Sequence, residues 1–380
     1  MGKIKLILKK LILGLIHILP GKRYVVFESI PNFSDSPKAL FDELVRRGYG
    51  KKYRFVWLLH EKIVPQTHPD CYSCIHTSSR KDRLLLKWYS HRAKCLISCN
   101  RFLKKVADNQ VSVYITHGTV IKQTGAGYNL PEGIDYVIVA SDHVREVMAW
   151  DLNADINKFY GLGYPRNDAL QHADRDLHNL FPVDYRKVVV WYPTFRQHKN
   201  GATTGSRNAL PILHDADNAR KLNEIASRNG VLLVVKPHFA QDISYIEDCN
   251  LSHIRFINDR FFEENRISSY EFVGSCDALI TDYSSIYYDY LLCDKPIAAI
   301  WEDIEEYRVN PGFSVDVDYY VKGAEKIYNL DDFETFLVHV AKDMDVLRRE
   351  RAEINALVNH STDGKNAERV VDFIIEKAGL

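Results

Sequence analysis

The residues best suited to chemistry lie where apolar runs of the sequence end. His117 follows "VSVYIT", Arg196 follows "VVVWYPTF", and Lys236 and His238 close the run "VLLVVKPH". A guanidinium grips phosphate oxygens with a planar fork, an ammonium supplies a point charge, and an imidazole exchanges a proton near neutral pH. Together these residue types indicate a phosphate-binding site with a proton acceptor.

A further apolar run ends in hydroxyl groups. In "ALITDYSSIYYDYLLCDKPI" the run closes at Thr281 and Asp282, and a helix is predicted to begin near Ser284 and Ser285. Serine is a favoured N-cap residue, and the free N–H groups at a helix N-terminus attract anions. Capping alone would explain one serine, so the sequence leaves open whether the pair binds phosphate or only caps the helix.

Composition and missing motifs exclude several classes of protein. Lys plus Arg and Asp plus Glu both total 50, which argues against nucleic acid as a partner. No Gly-x-Gly-x-x-Gly follows a first strand and no Gly-Lys-Ser phosphate loop occurs, so neither nicotinamide cofactors nor ATP are indicated.

The seven cysteines favour a reducing compartment, because their number is odd and no cleavable signal peptide precedes them. Five residues form a possible zinc-binding set, because two of the cysteines have the two-residue spacing of a metal knuckle. The strand-like run "CLISC" instead favours buried free thiols, so we predict no metal site. The five residues are Cys71, Cys74, His76, Cys95 and Cys99.

The elements that must position these residues follow from alternation along the chain. The runs "RYVVFES", "YRFVWLLH", "KCLIS", "SVYITHG" and "YVIVAS" are separated by polar stretches, and a similar series is "KVVVWYPTF", "GVLLVVKPH", "IRFI", "ALITDYSS" and "PIAAIW". This pattern predicts an α/β protein with two doubly wound parallel sheets, and 380 residues exceed one typical core. We place the domains at 21–175 and 176–380.

Both ends of the chain have helical periodicity. Near the C-terminus, Val370, Val371 and Ile374 share the face of a packing helix with Phe373. In residues 1–20, apolar side chains recur at three- and four-residue steps opposite several lysines, and the apolar stretch is too short to span a bilayer. We predict an amphipathic helix on an anionic membrane surface, with a signal-like segment or a helix docked on the protein as alternatives.

Six motifs in sequence order resemble the CDP-glycerol glycerophosphotransferase family, which includes teichoic acid primases and polymerases. They are "THGTVIKQTG", "GLGYPRNDAL", "YPTFRQ", "VVKPH", "ITDYSSIYYDYLLCDKPI" and "DGKNAERVVDFI". The resemblance implies a GT-B-like fold of two facing Rossmann-like domains, with CDP held mainly by the C-terminal domain. The sequence departs from the usual family residues at five positions that flank the reactive residues but do not include them. The resemblance therefore indicates the chemistry more specifically than the substrate. The five positions are Thr116, Val120, Trp191, Tyr192 and Phe239.

The resemblance also implies roles for individual residues. His117 would be the general base on the acceptor side, and His238 would act at the donor diphosphate. Gly118, Thr119 and Lys122 would flank the acceptor. The implied donor-binding residues are Arg196, Lys236, Thr281, Asp282, Ser284 and Ser285.

The implied reaction moves a polyol-phosphate, glycerol- or ribitol-phosphate, from a CDP donor to a membrane-linked teichoic acid or capsule-type acceptor and releases CMP. It would take place at the cytoplasmic face of the membrane, with no tightly bound cofactor and with free Mg²⁺ as an open question. A nucleotide-sugar transferase of the same fold is the main alternative, kept open by "WEDIEEY". A non-catalytic polymer- or membrane-binding subunit is the other.

Overall fold

The computed structural model describes residues 23–60, 72–76, 80–123, 129–194, 210–238, 241, 243–247 and 249–380. The chain divides into two compact units. Unit 1 takes its described residues from Met1–Thr119, Gly127–Asp168 and Lys365–Leu380, and unit 2 takes them from Val120–Ala126 and Ala169–Gly364.

Unit 1 contains a seven-stranded parallel sheet in the order β3-β2-β1-β4-β5-β6-β7. The strand order reverses between β1 and β4. In doubly wound sheets, ligands bind beyond the carboxyl ends of the strands at such a reversal. The strands are β1 Tyr24–Glu28, β2 Arg54–Leu59, β3 Tyr72–His76, β4 Ala93–Ser98, β5 Val111–Ile115, β6 Tyr136–Val139 and β7 Phe159–Gly161.

Unit 2 repeats this topology with six parallel strands in the order β10-β9-β8-β11-β12-β13. Its reversal lies between β8 and β11, so the carboxyl ends of these strands are the expected ligand-binding edge. The strands are β8 Lys187–Trp191, β9 Val231–Val235, β10 Ile254–Phe256, β11 Ala278–Thr281, β12 Ile297–Ile300 and β13 Glu325–Ile327.

Helices connect the strands in both units. The long helices have apolar residues on one face, which packs onto a sheet. The described α-helices are Asp35–Arg46, Arg80–Arg92, Arg145–Asp151, Asp168–Gln171, Ala216–Arg228, Ser244–Glu247, Asp259–Asn265, Ser269–Ser275, Ile286–Tyr290, Ile304–Val309, Val317–Tyr320, Leu330–Ala341, Arg348–Val358 and Asn366–Ala378.

The central strands are buried on both faces. All five residues of β9, "VLLVV", are fully buried. Its neighbour β8 ends in Trp191, whose ring packs edge-on against Phe333 of the helix Leu330–Ala341 at 5.7 Å between centroids. Continuous apolar runs of this kind are typical of parallel sheets covered by helices, which is why the sequence pattern identified them.

The predicted pair of parallel α/β sheets is confirmed. Every apolar run quoted above forms a strand, whereas strands β3, β7 and β13 were not predicted. No described helix is long and apolar enough to cross a membrane. The predicted amphipathic helix at 1–20 lies outside the described residues.

The division of the chain differs from the predicted boundary at residue 175. The helix Asn366–Ala378 has the predicted apolar face, with Val370, Val371 and Ile374 fully buried, but it belongs to unit 1. Its Phe373 ring packs against those of Tyr136 and Tyr160 of unit 1. Periodicity shows that a helix packs, but not which sheet receives it.

Candidate active site

His117 lies at the carboxyl edge of unit 1, two residues beyond β5. Its Nδ1 is 2.9 Å from Oδ2 of Asp35, the first residue of the helix that follows β1. The His117 side chain is 61% exposed, whereas that of Asp35 is only 7% exposed. The imidazole therefore rests on a buried carboxylate and presents the rest of its ring to solvent.

Arg166 completes this arrangement. Its Nη1 lies 2.8 Å from the same Asp35 oxygen, and its Nη2 donates to the backbone carbonyl of His117 at 3.1 Å. Burial alone would raise the pKa of Asp35. The positive charge of Arg166 and the hydrogen bond from His117 outweigh burial and hold the pKa well below its usual range. Asp35 is therefore ionised at all ordinary pH values.

The loop between β1 and the helix Asp35–Arg46 is held by local hydrogen bonds. The backbone N–H of Ile30 donates to Asn100 Oδ1 at 2.7 Å, and that of Ser34 donates to Ser29 Oγ at 3.1 Å. Asp35 has a φ of 58°, a left-handed conformation that Asp tolerates better than most residues. These contacts place the Asp35 carboxylate beneath His117.

Two of the residues predicted on the acceptor side stand next to His117 in unit 1. Gly118 has a φ of 138°, a backbone conformation that residues other than glycine rarely adopt. Thr119 is buried, with its hydroxyl 3.4 Å from the Tyr164 hydroxyl, and Thr116 lies 2.7 Å from the same oxygen. Gly118 therefore allows the turn after His117, and Thr119 packs inward.

Lys122, the third of these residues, belongs to unit 2. Its segment is fixed there because Gln123 N–H donates to Gly312 O at 2.9 Å and Ser314 N–H donates to Ile121 O at 2.9 Å. Lys122 also forms an antiparallel bridge with Phe313. Three residues after Thr119 the chain is thus part of the other unit, which the sequence did not reveal.

The carboxyl edge of unit 2 gathers positive charge. Lys236 directly follows β9, with its ammonium 3.0 Å from Asp259 and 5.8 Å from the centre of the Tyr192 ring. His238 follows two residues later and is exposed. Partial burial and the charges of Lys236 and Lys122 lower the pKa of His238.

Thr281 and Asp282 are buried and join two neighbouring strand ends. The Thr281 hydroxyl donates to the backbone carbonyl of Tyr192 at 3.0 Å. The Asp282 carboxylate accepts the Thr194 N–H at 2.8 Å, the Tyr283 N–H at 2.6 Å and the Thr194 hydroxyl. With these partners and 1% exposure, Asp282 fixes the end of β8 against that of β11.

Ser284 and Ser285 are half-buried at the end of β11. The following α-helix begins at Ile286 and has only five residues, and the Ser285 side chain makes no capping hydrogen bond. The predicted helix dipole is therefore weak at this position, because few peptide units contribute to it. What the pair offers to a ligand is mainly its hydroxyl groups. Arg196 lies outside the described residues.

One trio in unit 1 has the residue types of a metal site. Ligand atoms of Asp35, Cys99 and His117 lie within 4.8 Å of one another. The trio suits a cation poorly, because the Arg166 guanidinium already occupies the carboxylate. Burial also raises the pKa of the Cys99 thiol well above its usual range and so disfavours the thiolate that metals bind.

The alternative zinc set is not assembled by the residues whose side chains are described. Cys95 and Cys99 are buried free thiols, and burial raises the pKa of Cys95 to about 12. Cys71 and the side chains of Cys74 and His76 lie outside the described residues.

The motifs "GLGYPRNDAL" and "DGKNAERVVDFI", which are distant in sequence, contact each other in unit 1. In "GLGYPRNDAL", Asp168 accepts the N–H groups of Asn366 and Ala367 at 2.9 and 2.8 Å and so caps the last helix. Gly163 leaves space for the Asn366 side chain, which a Cβ would meet at 2.0 Å. Arg166 of the same motif holds Asp35. Neither Arg166 nor Asp35 was singled out from the sequence, because the two residues lie 131 positions apart.

Known proteins resemble the chain over nearly its whole length. The sequence profile described as CDP-Glycerol:Poly(glycerophosphate) glycerophosphotransferase matches residues 13–376. A teichoic acid glycerol-phosphate transferase from Staphylococcus aureus is 23% identical over 95% of this chain and 95% of that protein. A teichoic acid poly(glycerol phosphate) polymerase from Bacillus spizizenii is 23% identical over 81% of this chain and 82% of that protein.

The fold is also that of a solved relative. A variant of the wall teichoic acid polymerase TagF soaked with CDPG is 21% identical and has a TM-score of 0.68, over 94% of this chain and 89% of that chain.

Proposed function

The chain belongs to the CDP-glycerol:poly(glycerophosphate) glycerophosphotransferase family, and from this we propose that it transfers glycerol-phosphate from CDP-glycerol to a hydroxyl of a teichoic acid or capsule-type polymer, releasing CMP. Ribitol-phosphate is the alternative unit. The observation that carries the proposal is His117, an exposed imidazole supported by a buried carboxylate 2.9 Å away. Such a group is suited to accept a proton from an acceptor hydroxyl.

Unit 2 supplies the complementary chemistry. Lys236 and Lys122 place positive charge near His238 at the carboxyl edge of its sheet, where doubly wound folds bind nucleotides. Half-buried hydroxyls of Ser284 and Ser285 follow β11 and add hydrogen-bond donors. We propose that this group holds the CDP diphosphate, with Arg196 as a further ligand on the strength of the family resemblance.

The proposed reaction is a single displacement at the β-phosphorus. The acceptor oxygen forms a bond to that phosphorus while its proton passes to His117. The bond from phosphorus to the bridging oxygen breaks, and its electron pair stays on the departing CMP. Lys236, Lys122 and His238 stabilise the developing negative charge, so positioning and electrostatics account for catalysis.

Three further parts of the proposal concern the surroundings of the reaction. We propose a membrane-linked acceptor, attachment to the anionic cytoplasmic face of the membrane through residues 1–20, and a GT-B-like fold. The charges of this chain are proposed to suffice without a resident metal. Turnover after treatment with EDTA, with and without added Mg²⁺, tests the last point.

Two of the acidic residues that favoured a nucleotide-sugar transferase have structural partners. In "WEDIEEY", Glu302 lies 2.7 Å from His214 and accepts the Ile212 N–H at 3.0 Å. Asp303 accepts the Tyr283 hydroxyl at 2.9 Å. Glu302 and His214 also line a cavity of about 340 Å³, but its further carboxylate, Asp331, makes it a poor site for a diphosphate. These contacts weaken the alternative.

The proposal is tested by incubating the protein with CDP-glycerol, CDP-ribitol and a panel of nucleotide-sugars in the presence of acceptor. Mass spectrometry then identifies the nucleotide released. We expect CMP from a CDP-polyol and no product from the sugars. Release of a nucleoside diphosphate from a sugar donor would identify a glycosyltransferase, and no release from any donor would favour a non-catalytic role.

A further inference from the structure

We propose that Asp35 and Arg166 are the positioning residues of His117, with Asp35 fixing the side chain and Arg166 fixing both partners. The inference rests on the proposed function, in which His117 is the base. It names two residues that lie outside the motif containing the histidine and that contact no substrate in the proposed reaction.

The contact with Asp35 determines which imidazole nitrogen of His117 carries the proton. A carboxylate can only accept hydrogen bonds, so the 2.9 Å contact with Asp35 Oδ2 requires the proton of neutral His117 to be on Nδ1. Nε2 then carries the lone pair. An acceptor hydroxyl can donate to Nε2, and the resulting imidazolium is stabilised by the negative charge already beneath it.

Burial and the contact with Arg166 hold the Asp35 side chain in place. Its side chain is 7% exposed and that of Arg166 is 4% exposed, so neither can move freely into solvent. Arg166 binds the Asp35 carboxylate through Nη1 and the His117 carbonyl through Nη2. One guanidinium thus fixes the carboxylate relative to the backbone that bears the histidine.

Arg166 is itself held in place. Its backbone N–H lies 3.4 Å from the buried Ser36 hydroxyl, and its guanidinium lies over the Tyr164 ring at 5.4 Å. Asp35, His117 and Arg166 come from three parts of the chain, and each of their contacts restricts the movement of the residues that it joins. A base is effective only when its lone pair points at the reacting hydroxyl, so we expect this chain of contacts to affect rate more than donor binding.

The test is a double-mutant cycle of wild type, Asp35→Asn, His117→Ala and the double variant. Asn is close in size to Asp and also tolerates the positive φ of this position. We expect Asp35→Asn to lower the single-turnover rate of CMP release by about 10- to 100-fold, part of what a general base contributes. CDP-glycerol affinity should be unchanged. In the His117→Ala background the same substitution should cause no further loss of rate.

The matched control is Asp42→Asn. Asp42 lies on the same helix, is 56% exposed and pairs with Lys38, so its loss should leave the rate unchanged. Asp35→Asn leaves the buried Arg166 without its carboxylate partner. The double variant Asp35→Asn/Arg166→Gln therefore tests the loss of the carboxylate without leaving an unpaired buried charge. It should fold as judged by circular dichroism and remain slow.

A second measurement is independent of turnover. In protein labelled with ¹⁵N-histidine, nitrogen chemical shifts of neutral His117 should show the proton on Nδ1 in wild type and a mixture of tautomers in Asp35→Asn. Equal rate losses in the wild-type and His117→Ala backgrounds, or an unchanged tautomer in Asp35→Asn, would overturn the inference. A wild-type protein that releases no CMP but shows the expected tautomers would instead refute the proposed function alone.

Discussion

The two histidines have opposite electrostatic surroundings. His117 rests on the buried carboxylate of Asp35, whereas His238 shares its edge of unit 2 with the ammonium groups of Lys236 and Lys122. In the first arrangement the carboxylate accepts a hydrogen bond from the ring, and in the second the two lysine charges oppose a positive charge on the ring. This contrast agrees with the separate tasks proposed for the two residues.

The lowered pKa of His238 predicts a coupling between protons and donor. In the free protein, partial burial and the charges of Lys236 and Lys122 lower the pKa of this imidazole from its ordinary value of 6.5, so the neutral form predominates at pH 6.5. A bound diphosphate supplies negative charge and should raise the pKa again. Binding of CDP-glycerol should therefore take up protons at and just below pH 6.5.

Calorimetry in buffers of different ionisation enthalpy measures this uptake. His238→Gln should reduce it, because the variant has no group that titrates at that position. Proton release on binding, or the same uptake in His238→Gln as in wild type, would contradict the placement of His238 beside the diphosphate.

The elements that carry the site were predicted with uneven success. Strand ends at His117, Lys236 and Ser284 could be found because fully buried parallel strands are continuous apolar runs. The short strands β7 and β13 have only three residues each and leave no comparable signal. Asp35 could not be found, because its role depends on a left-handed turn and on a partner far along the chain.

The segment that carries Lys122 gives the clearest difference between the expected and observed site. The family motif continues from His117 through Lys122, yet the chain enters unit 2 between them. The family resemblance implied that both residues lie on the acceptor side. The backbone bonds to Gly312 and Ser314 fix this segment in unit 2, where the charge of Lys122 contributes to lowering the pKa of His238.

Lys122→Ala should therefore weaken CDP-glycerol binding, by about tenfold if one phosphate contact worth about 1.4 kcal/mol is lost. The loss should shrink at high salt, because the contact is electrostatic. Lys221→Ala, on an exposed position of the helix Ala216–Arg228, is the matched control. Calorimetric titration checks the prediction, and unchanged donor affinity in Lys122→Ala would return Lys122 to the acceptor side.

The short helix after β11 leads to a prediction for its two serines. Ser284→Ala/Ser285→Ala should weaken donor binding because two hydroxyl donors are lost. The free energy of unfolding should fall by less than about 1 kcal/mol, because the Ser285 side chain makes no capping hydrogen bond. Donor titration and chemical denaturation measure the two effects, and Ser284→Val should behave like the pair. A large loss of stability with intact donor binding would assign the serines to the fold.

At the scale of the whole molecule, the chain passes between the units at four places, all of them outside the strands. These are Thr119–Val120, Ala126–Gly127, Asp168–Ala169 and Gly364–Lys365. Each unit is therefore assembled from separate parts of the sequence. Domain boundaries drawn from continuous runs could not reproduce this, because a run of strands does not show where a terminal helix returns.

Membrane attachment is expected to be separable from catalysis. Deleting residues 1–20 should release the protein from anionic vesicles, because the apolar face and the lysines are removed together. Turnover with a soluble acceptor should be largely retained. Flotation with anionic and with neutral vesicles measures the effect, and a truncated protein that still floats with anionic lipid would place the anchor elsewhere.

The central claim is that unit 2 binds the donor while His117 of unit 1 acts on the acceptor hydroxyl. Donor affinity and single-turnover rate, measured side by side for His117→Ala and His238→Ala, test it most directly. We predict that His117→Ala loses about 10²- to 10⁴-fold in rate and still binds CDP-glycerol as wild type does, because a base contributes only in the transition state. His238→Ala should lose both donor affinity and rate. Loss of donor binding in His117→Ala, or wild-type turnover by that variant, would contradict the account.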